Sequence, residues 1–451
     1  MAQAEVTPGG VAPEVLKEAP VPASFFEYVK SWGPGIVIVL TWLGAGDLVD
    51  SSVAGANYGY ALMWGLAVAL LVRFGLVHLI AKFPLFNTRR MTLLAGFRAI
   101  HPAFPTVIVV ACMIMFHFYN SYAVKGTGSA LMHITGIGDA TWGVAIWSIV
   151  GVAAIWLITN RHVYGPVEKA MMVLLAMLVI CLVGGAIWIG PNWGGIAGGV
   201  VGFAVPAQVG IFGSLLVVVS LIGAVGGSVT NVLYPYFMRD KGWTQPKHRR
   251  VQIYDLLFGV VAIIILDLAV WIMGAEVLNP QGLTIESVED MAGMLNRTAL
   301  GNLGSIIFYL GVIGATFSTT LGLALGGTHI LKDLIKMNYP KRLEKYPNQN
   351  RDPWVLTAYY WIFLAPLVWA LPGMPGFVWL TIIVNAASLI TLPLISIGIL
   401  VILNRTDLMG EHKNGIIANL FLFALTLLAL YGAYHVLVEV LPQQLGNILT
   451  T

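Results

Sequence analysis

Eleven apolar runs, each of about the 20 residues that a helix needs to cross a bilayer, follow one another along this sequence of 451 residues. Only 10% of the residues are charged, whereas soluble domains average about 25%. Because backbone groups inside a bilayer must satisfy their own hydrogen bonds, runs of this length predict membrane-spanning helices. We therefore predict an all-α polytopic membrane protein. Its eleven spans, numbered in chain order, are predicted at residues 33–57, 59–81, 105–131, 142–159, 168–190, 209–236, 252–278, 300–331, 354–371, 376–403 and 414–441.

The first 30 residues differ in composition from the rest of the chain. They read MAQAEVTPGGVAPEVLKEAPVPASFFEYVK, are rich in Pro, Ala and Glu, and contain no apolar core. Such a segment is not a signal peptide, and we predict a disordered cytoplasmic tail at residues 1–30. Residues 31–451 are predicted to form a single transmembrane domain. The two cysteines, Cys112 and Cys181, lie in apolar runs and are expected to be free thiols.

Basic residues are concentrated in alternate loops. With the N-terminus inside, the inner loops include KFPLFNTRRMTLLAGFR and RDKGWTQPKHRR, whereas the outer loops include TGIGDATW and the acidic NPQGLTIESVED. Since Lys and Arg accumulate on the cytoplasmic side, this asymmetry predicts a cytoplasmic N-terminus and an odd number of spans. A compact chain without targeting signals is expected in a prokaryotic inner membrane. The basic loops are interpreted as topology signals in contact with anionic lipid, and nothing beyond their charge favours nucleic-acid binding.

Two spans carry helix breakers near their middle. Span 1 contains LGAGD at residues 43–47, and span 6 contains GAVGGS at residues 223–228. Unwound backbone at membrane depth is tolerated only where it lines a protein cavity or water. Paired interrupted helices in corresponding positions of two halves indicate a secondary-transporter site. The alternative is that the glycines serve close helix packing, as they commonly do in membrane helices.

Asp47 stands at the opening of span 1 and is the leading metal-ligand candidate. Freed backbone carbonyls at both breaks, together with side-chain oxygens, would complete a coordination shell. Neither break contains Met, Cys or His, so the donor set is hard and suits Mg²⁺, Ca²⁺ or Mn²⁺. The predicted metal-binding residues are Asp47, Gly44, Ala45, Gly223, Ala224 and Asn231. Residues predicted to line the cavity or to serve coupling are Asp50, Ser228, Thr230, His117, Asn120 and Tyr122.

Several ionisable residues lie within the spans, where a lone charge is costly. Asp50, three residues after Asp47 on the same helical face, is either part of the site or a helix-end acid facing an outer vestibule. His117 is either a hydrogen-bonded core histidine or a proton relay. Arg73 requires a carboxylate or backbone carbonyls, and Asp267 is one possible partner.

The stretch GPGIVIVLTWLGAGDLVDSSVAGANYGYALMWGL at residues 33–66 resembles the first two helices of the Nramp divalent-metal transporters. The number of spans, the inside N-terminus and the GAV of span 6 are also similar. The resemblance covers most of the chain and implies the leucine-transporter fold, with helices 1 and 6 broken at the site. It implies two inverted five-helix repeats, at about residues 31–195 and 205–405, and an extra helix at about residues 414–441.

The departures from the family pattern bear on which ion is bound. The family's metal-binding aspartate aligns with Gly44 and its asparagine with Asp47, so the carboxylate is displaced by three residues. The family's Met-Pro-His aligns with residues 227–229 or 228–230, which lack the methionine whose soft sulfur favours transition metals over Mg²⁺. A harder ion is therefore expected, as in the Nramp-related magnesium transporters.

Two further alignments concern coupling and the cavity wall. The family's acidic pair in helix 3, part of its proton route, aligns with Tyr122 and Lys125, so the resemblance leaves proton coupling open. The family's site amide in span 10 aligns with Asn385 or Ser388, and Asn385 joins the predicted cavity residues.

The predicted function is secondary transport of divalent metal cations, with Mg²⁺ and Mn²⁺ favoured, by alternating access. Transport of a small organic solute, an amino acid or an amine, on the same fold is the alternative, and a non-transporting receptor is a third class. The chain carries no nucleotide-binding motif, so ATP-driven pumping and enzymatic activity are not expected. The expected partners are the metal-ion substrate and the lipid bilayer, with no cofactor and no nucleic acid, and the protein is expected to be a monomer or a weak oligomer.

Overall fold

The computed structural model describes residues 18–31, 44–139, 142–160 and 164–444. Almost all of these residues are helical, and the only strand-like feature among them is an isolated bridge between Val209 and Phe212. Eight helical stretches in this part of the chain are long and apolar enough to cross a membrane. They are Met63–Phe86, Phe104–Thr135, Ser214–Asp240, Pro246–Gln281, Gly301–Asn338, Pro353–Ala370, Phe377–Asn404 and Ile416–Gln444. These are spans 2, 3 and 6 to 11.

Spans 1, 4 and 5 account for the rest of the prediction. The second half of span 1 is the helix Ala45–Tyr58, and its first half falls outside the described residues. Span 4 is Trp142–Asn160, and span 5 is Tyr164–Ile189. The predicted all-α polytopic architecture is confirmed. The helix ends differ from the predicted ends by several residues because helices continue past the apolar runs.

Several short helices lie outside the predicted spans. Phe25–Ser31 is helical, so the disorder predicted for residues 1–30 is wrong at the end of that segment. The others lie where only loops were predicted: Leu93–Arg98, Trp193–Gly202, Val288–Asn296, Pro340–Lys345 and Thr406–Met409.

After span 5 the chain bends by 107° into Trp193–Gly202. Gly199 allows that helix to approach the start of span 2, since a Cβ there would come within 2.0 Å of the Tyr60 carbonyl oxygen. In the segment after span 7, Val288–Asn296 is a helix that Ser287 caps. Neither helix has the length of a membrane span, which is why apolar run length did not reveal them.

Contacts between the connecting segments show which span ends share a face of the bundle. After spans 2 and 10, Thr88 N donates to the Leu408 carbonyl oxygen at 2.8 Å. After span 1 and at the end of span 7, the Tyr60 hydroxyl donates to a Glu276 carboxylate oxygen at 2.8 Å. The ends of spans 2 and 10 therefore share one face, and the ends of spans 1 and 7 share a face, as alternating spans would produce.

Span 6 leaves α-helical geometry at the predicted break. Ser214–Leu221 is α-helical and Ile222–Gly226 forms one turn of π-helix. At Ser228 the backbone turns out of the helix, with ψ of 132°, and Val229–Leu233 continues as a 3₁₀ helix. In span 1, the described residues begin at Gly44, whose φ of −77° and ψ of 171° are extended, immediately before the helix Ala45–Tyr58. The predicted break at residues 43–47 lies partly outside the described residues.

Two glycines bring the span 6 break into backbone contact with its neighbours. A Cβ on Gly226 would lie 2.7 Å from the Ala69 carbonyl oxygen in span 2. A Cβ on Gly223 would lie 2.0 Å from the Asn385 carbonyl oxygen in span 10. Any larger residue would push these backbones apart. The break is thus fixed between spans 2 and 10, and span 2 delivers Arg73 to it one turn after Ala69.

A candidate metal-ion cavity at the two helix breaks

A small polar cavity lies where the two breaks meet. Its volume is about 30 Å³, which is room for about two water molecules or a partly hydrated ion. Spans 1, 2, 3, 6, 8 and 10 each contribute to its wall. The lining residues are Gly44, Gly46, Asp47, Arg73, Tyr119, Tyr122, Ala224, Ser228, Thr230, Thr319, Leu323 and Asn385.

Asp47 faces Arg73 across this cavity. Both side chains are almost completely buried, and Arg73 Nη1 lies 3.7 Å from Asp47 Oδ2. Arg73 Nη2 also donates a 3.0 Å hydrogen bond to the Ala224 carbonyl oxygen at the span 6 break. Asp47 Oδ2 makes no hydrogen bond with the described residues. Charge attraction alone therefore holds Arg73 to this oxygen of Asp47. The same oxygen could bind a metal cation.

Asp50 is placed differently from Asp47, although it lies one turn further along the same helix. Its Oδ1 accepts a 2.7 Å hydrogen bond from Ser220 Oγ. Its Oδ2 accepts a 3.0 Å hydrogen bond from Asn385 Nδ2. Both hydrogen-bond donors are buried side chains of the bundle, and Asp50 itself is fully buried. The helix-end interpretation of Asp50 is therefore wrong, because the residue lies in the polar centre of the bundle and joins spans 1, 6 and 10.

Asp267 completes a group of buried charges. Its side chain is fully buried in span 7, and neither of its carboxylate oxygens makes a hydrogen bond. Ser51 lies beside it without reaching hydrogen-bond geometry. The charges of Asp47 and Arg73 are close enough to act on it. Arg73 thus pairs directly with Asp47, while the predicted partner Asp267 interacts with it through charge.

Most of the predicted cavity residues are brought together. Ser228 Oγ donates to the Tyr119 hydroxyl at 3.2 Å and contacts Thr230 Oγ1 at 2.8 Å. Asn385 Nδ2 is engaged with Asp50, which leaves Oδ1 as the atom that could accept a cation. Tyr122 lies in the wall beside Tyr119, with ring centroids 6.2 Å apart.

Three predicted metal ligands lie next to the cavity rather than in its wall. Ala45 is buried in the first turn after Gly44. Gly223 packs against the backbone of span 10. Asn231 Nδ2 donates to the Gly226 carbonyl oxygen at 2.9 Å, while its Oδ1 is buried without a hydrogen bond.

Two predicted coupling residues lie away from the cavity, between span 3 and spans 8 and 9. His117 Nδ1 is 3.0 Å from the Trp361 carbonyl oxygen, and its Nε2 accepts a hydrogen bond from Trp369 Nε1. Asn120 Nδ2 donates to the carbonyl oxygens of Thr320 and Ile362. Neither residue lines the cavity. The hydrogen-bonded core interpretation of His117 is supported by these contacts.

The sequence did not indicate the partner of Asp47 or the contributions of Tyr119, Thr319 and Leu323. These residues lie in spans 3 and 8, which carry no break, so only the folded arrangement brings them to the cavity. Among the described residues, no three His, Cys, Asp or Glu side chains are arranged to hold a metal ion by themselves. A metal ion here would therefore depend on backbone carbonyl, hydroxyl and amide oxygens around one carboxylate.

The interrupted span 6 meets the start of the helix Ala45–Tyr58 at a polar cavity, and this all-α polytopic architecture is that of the leucine-transporter fold. The chain belongs to the Nramp family. The family model described as natural resistance-associated macrophage protein-like matches residues 35–439. Members of this family are transporters and not enzymes.

Known relatives are distant in sequence. The divalent metal cation transporter MntH of Brucella suis is 21% identical over 407 residues, covering 86% of this chain and 83% of that protein. A natural resistance-associated macrophage protein 2 homolog of Dictyostelium discoideum is 22% identical over 393 residues. That alignment covers 85% of this chain and 59% of the longer relative.

Solved structures agree with the fold. The Eremococcus coleocola manganese transporter superposes with a TM-score of 0.70 at 16% identity, covering 93% of this chain and 89% of that chain. MhsT in complex with L-phenylalanine superposes with a TM-score of 0.56 at 16% identity, covering 90% and 97% of the two chains. At such identities the likeness extends to the fold alone.

Proposed function

We propose that the protein is a secondary transporter of divalent metal cations that works by alternating access around spans 1 and 6. One observation carries the proposal: a buried carboxylate oxygen of Asp47, without a hydrogen bond to any residue that the structure describes, faces a small cavity between the start of the helix Ala45–Tyr58 and the span 6 break. The names of the relatives point the same way, since those proteins are described as divalent metal cation and manganese transporters.

The proposed ligand set is built on Asp47. The carbonyl oxygens of Gly44 and Ala224 and the side-chain oxygens of Ser228 and Asn385 line the same cavity and would complete the shell with retained water. The predicted roles of Ala45, Gly223 and Asn231 as metal ligands and of Thr230 as a cavity or coupling residue remain predictions. Ala45, Gly223 and Asn231 would join the shell after a small movement of the breaks.

Hard ions, Mg²⁺ and Mn²⁺, are the proposed substrates. The cavity wall offers carboxylate, carbonyl, hydroxyl and amide oxygens and contains no sulfur or imidazole. Oxygen-only sites suit Mg²⁺, Ca²⁺ and Mn²⁺, whereas soft donors would favour other metals. The organic-solute alternative is not favoured, because the chain belongs to the Nramp family and its relatives are described as divalent metal cation transporters.

We also propose that the protein lies in a prokaryotic inner membrane with its N-terminus in the cytoplasm. Several basic residues meet on the face shared by the ends of spans 2 and 10. Arg98 Nη1 donates to the Met337 carbonyl oxygen, and Arg89 lies 3.5 Å from Asp407. Basic segments on one face support that face as the cytoplasmic one.

We propose the following domain organisation and oligomeric state. Residues 1–30 form a tail, and residues 31–451 form one transmembrane domain with repeats at about 31–195 and 205–405. The extra helix at about 414–441 packs outside them, where Ile416, Ile417 and Leu420 present exposed apolar side chains suited to lipid. We propose a monomer or a weak oligomer, which the mass of the detergent-solubilised protein would test.

Ion uptake into proteoliposomes tests the transport proposal. Purified protein is reconstituted, and the uptake of Mg²⁺, Mn²⁺ and Cd²⁺ is measured with and without a pH gradient. We expect Mg²⁺ and Mn²⁺ flux above that of protein-free vesicles. Folded protein that moves no divalent ion under either condition would contradict the proposal.

A further inference from the structure

The cavity already contains a positive charge that belongs to the protein. Arg73 donates to the Ala224 carbonyl oxygen, one of the proposed metal ligands, and is paired with the carboxylate of Asp47, another. A guanidinium and a divalent ion cannot both use these oxygens at short distance, because like charges repel strongly where water is scarce. Metal binding at Asp47 therefore requires Arg73 to move.

Asp267 offers the guanidinium a place to go. Both of its carboxylate oxygens are buried and accept no hydrogen bond from the part of the chain that the structure describes, and it already interacts with the charge of Arg73. A buried carboxylate without donors is costly unless something compensates it. The long Arg73 side chain can be redirected by rotamer changes while the backbone of span 2 stays in place.

The charges of the group are suited to this exchange. Asp47, Asp50, Asp267 and Arg73, called the charged cluster below, comprise three carboxylates and one guanidinium. Their formal net charge is minus two, which one divalent cation neutralises. Without Arg73 the empty cluster would carry three uncompensated negative charges at membrane depth, where each charge is expensive.

We propose that Arg73 is a built-in counter-ion for the empty transporter. It occupies Asp47 and the Ala224 carbonyl when no metal is bound, and it transfers to Asp267 when a divalent ion takes its place. The inference rests on the proposed function and deepens it. Arg73 allows the empty site to cross between its inward-facing and outward-facing forms, and Asp267 lowers the cost of displacing Arg73 during metal binding.

Comparison of net uptake with metal exchange tests the role of Arg73. Net uptake requires the empty transporter to return, whereas exchange of labelled for unlabelled Mn²⁺ involves only the loaded form. In Arg73→Gln proteoliposomes we expect the ratio of exchange to net uptake to rise on the order of 100-fold, because a third buried charge must cross uncompensated. Arg73→Lys, which keeps the charge, should restore most of the net uptake.

Arg249→Gln is the matched control. Arg249 is a half-buried arginine outside the cavity that hydrogen-bonds to the His78 carbonyl oxygen and to Gln252. Its substitution should leave the ratio unchanged. An unchanged ratio in folded Arg73→Gln, or equal loss of exchange and net uptake, would overturn the proposal. Failure of the wild-type protein to carry out either process would instead overturn the proposed function.

Equilibrium binding of Mn²⁺ to the detergent-solubilised protein tests Asp267 separately. Asp267→Asn should weaken binding by roughly tenfold or more, the scale seen when groups around a metal site are removed. Adding Arg73→Gln should restore the affinity, because the double variant regains a formal cluster charge of minus two. If the double variant binds Mn²⁺ as weakly as Asp267→Asn, Asp267 is not the acceptor of Arg73.

Discussion

Asp47 and Asp50 show how two acids on one helix can take different roles. Asp50 accepts hydrogen bonds from Ser220 and Asn385, and these contacts use both of its oxygens. Asp47 keeps one oxygen without a hydrogen bond and faces the cavity. Binding of a cation at Asp50 would break two hydrogen bonds, whereas at Asp47 it would replace an ion pair with Arg73. Asp47 is therefore the proposed ligand, and Asp50 joins spans 1, 6 and 10 beside it.

Asp47→Asn is expected to weaken Mn²⁺ binding on the order of 100-fold, because it removes the one carboxylate among the described residues of the cavity wall. Titration calorimetry on the purified protein would measure the change. Asp255→Asn is the matched control, since Asp255 is also a buried acid paired with a cation, Lys241, but lies outside the cavity. Equal losses in the two variants would mean that Asp47 is not a ligand.

Ser228→Met should shift the ion preference towards Cd²⁺, because it introduces a soft sulfur into a wall that has only oxygen and nitrogen donors. The measurement is the ratio of Cd²⁺ to Mg²⁺ uptake, which we expect to rise about tenfold. Gly227→Met is a poor alternative, since a Cβ there would lie 2.7 Å from Leu392 Cδ2. A ratio that does not change would place Ser228 outside the coordination shell.

Residue type and depth were enough to single out Asp47, because an acid among glycines in an apolar run is costly and is rarely kept there without a functional role. They were not enough to find its partner. Arg73 lies 26 positions further along and reaches Asp47 only because span 2 packs against the span 6 break. Such a pairing depends on helix rotation and packing, which one sequence does not encode in any local pattern.

At the level of the helical elements, the span 6 break is stabilised from both sides. Gly226 lies against span 2 and Gly223 against span 10, each at backbone contact distance. The position of the break was predictable from its glycines. Its form, a π-helical turn followed by a 3₁₀ helix, was not predictable. The π-helix and the 3₁₀ helix differ from an α-helix only in which carbonyl oxygen accepts each backbone N–H, and residue type does not decide this.

Gly226→Ala is expected to destabilise the protein by about 1–3 kcal/mol, because the added methyl group overlaps the Ala69 carbonyl oxygen. A lower melting temperature in detergent and a loss of metal uptake would be observed. Gly184→Ala is the control: Gly184 lies in span 5, and a Cβ there meets nothing within 4 Å. That substitution should be neutral or slightly stabilising, since alanine favours helix. Equal stability of the two variants would contradict the tight approach at Gly226.

The N-terminus of span 9 gives a pH-dependent prediction outside the membrane. Burial alone would raise the pKa of Asp352, but hydrogen bonds from Arg342 and from Trp354 N lower it below its usual value. A lowered pKa stabilises the fold above about pH 4, and that contribution is lost as the pH falls through the folded-state pKa.

Asp352→Ala should therefore cost about 1 kcal/mol at neutral pH through loss of the helix cap. The difference in melting temperature from wild type should shrink below about pH 4. Asp407→Ala, which removes an exposed acid paired with Arg405, should have no measurable effect. A difference for Asp352→Ala that stayed constant down to about pH 3 would contradict this account.

At the level of the whole molecule, the all-α polytopic architecture was predictable from apolar run length alone. The distribution of basic residues favours an odd number of spans, and the contacts of Thr88 with Leu408 and of Tyr60 with Glu276 are those that alternating spans would produce. The short helices Trp193–Gly202 and Val288–Asn296 were missed because they are too short to cross a membrane or lie outside the apolar runs. Hydropathy identifies helices that cross a membrane, but it carries little information about short helices that do not cross it.

Labelling of single cysteines tests the proposed orientation. In a background without Cys112 and Cys181, Glu286→Cys and Glu411→Cys each place a thiol on an exposed residue. The proposed orientation puts the first outside and the second inside the cell. A membrane-impermeant maleimide applied to intact cells should label the first and spare the second. The reverse pattern would place the N-terminus outside, and labelling of both after cell disruption confirms that each thiol is accessible.

The composition of the charged cluster has an electrical consequence. With a divalent ion bound, its three carboxylates and one guanidinium are formally neutral, so the loaded form should cross with little response to the membrane potential. With all three carboxylates ionised, the empty form carries two formal negative charges, and each charge that crosses the full field changes in energy by about 2.3 kcal/mol per 100 mV. A cell interior held negative would therefore drive the empty site back towards the outside. Accumulation of the ion would draw on the membrane voltage even if no second ion were carried.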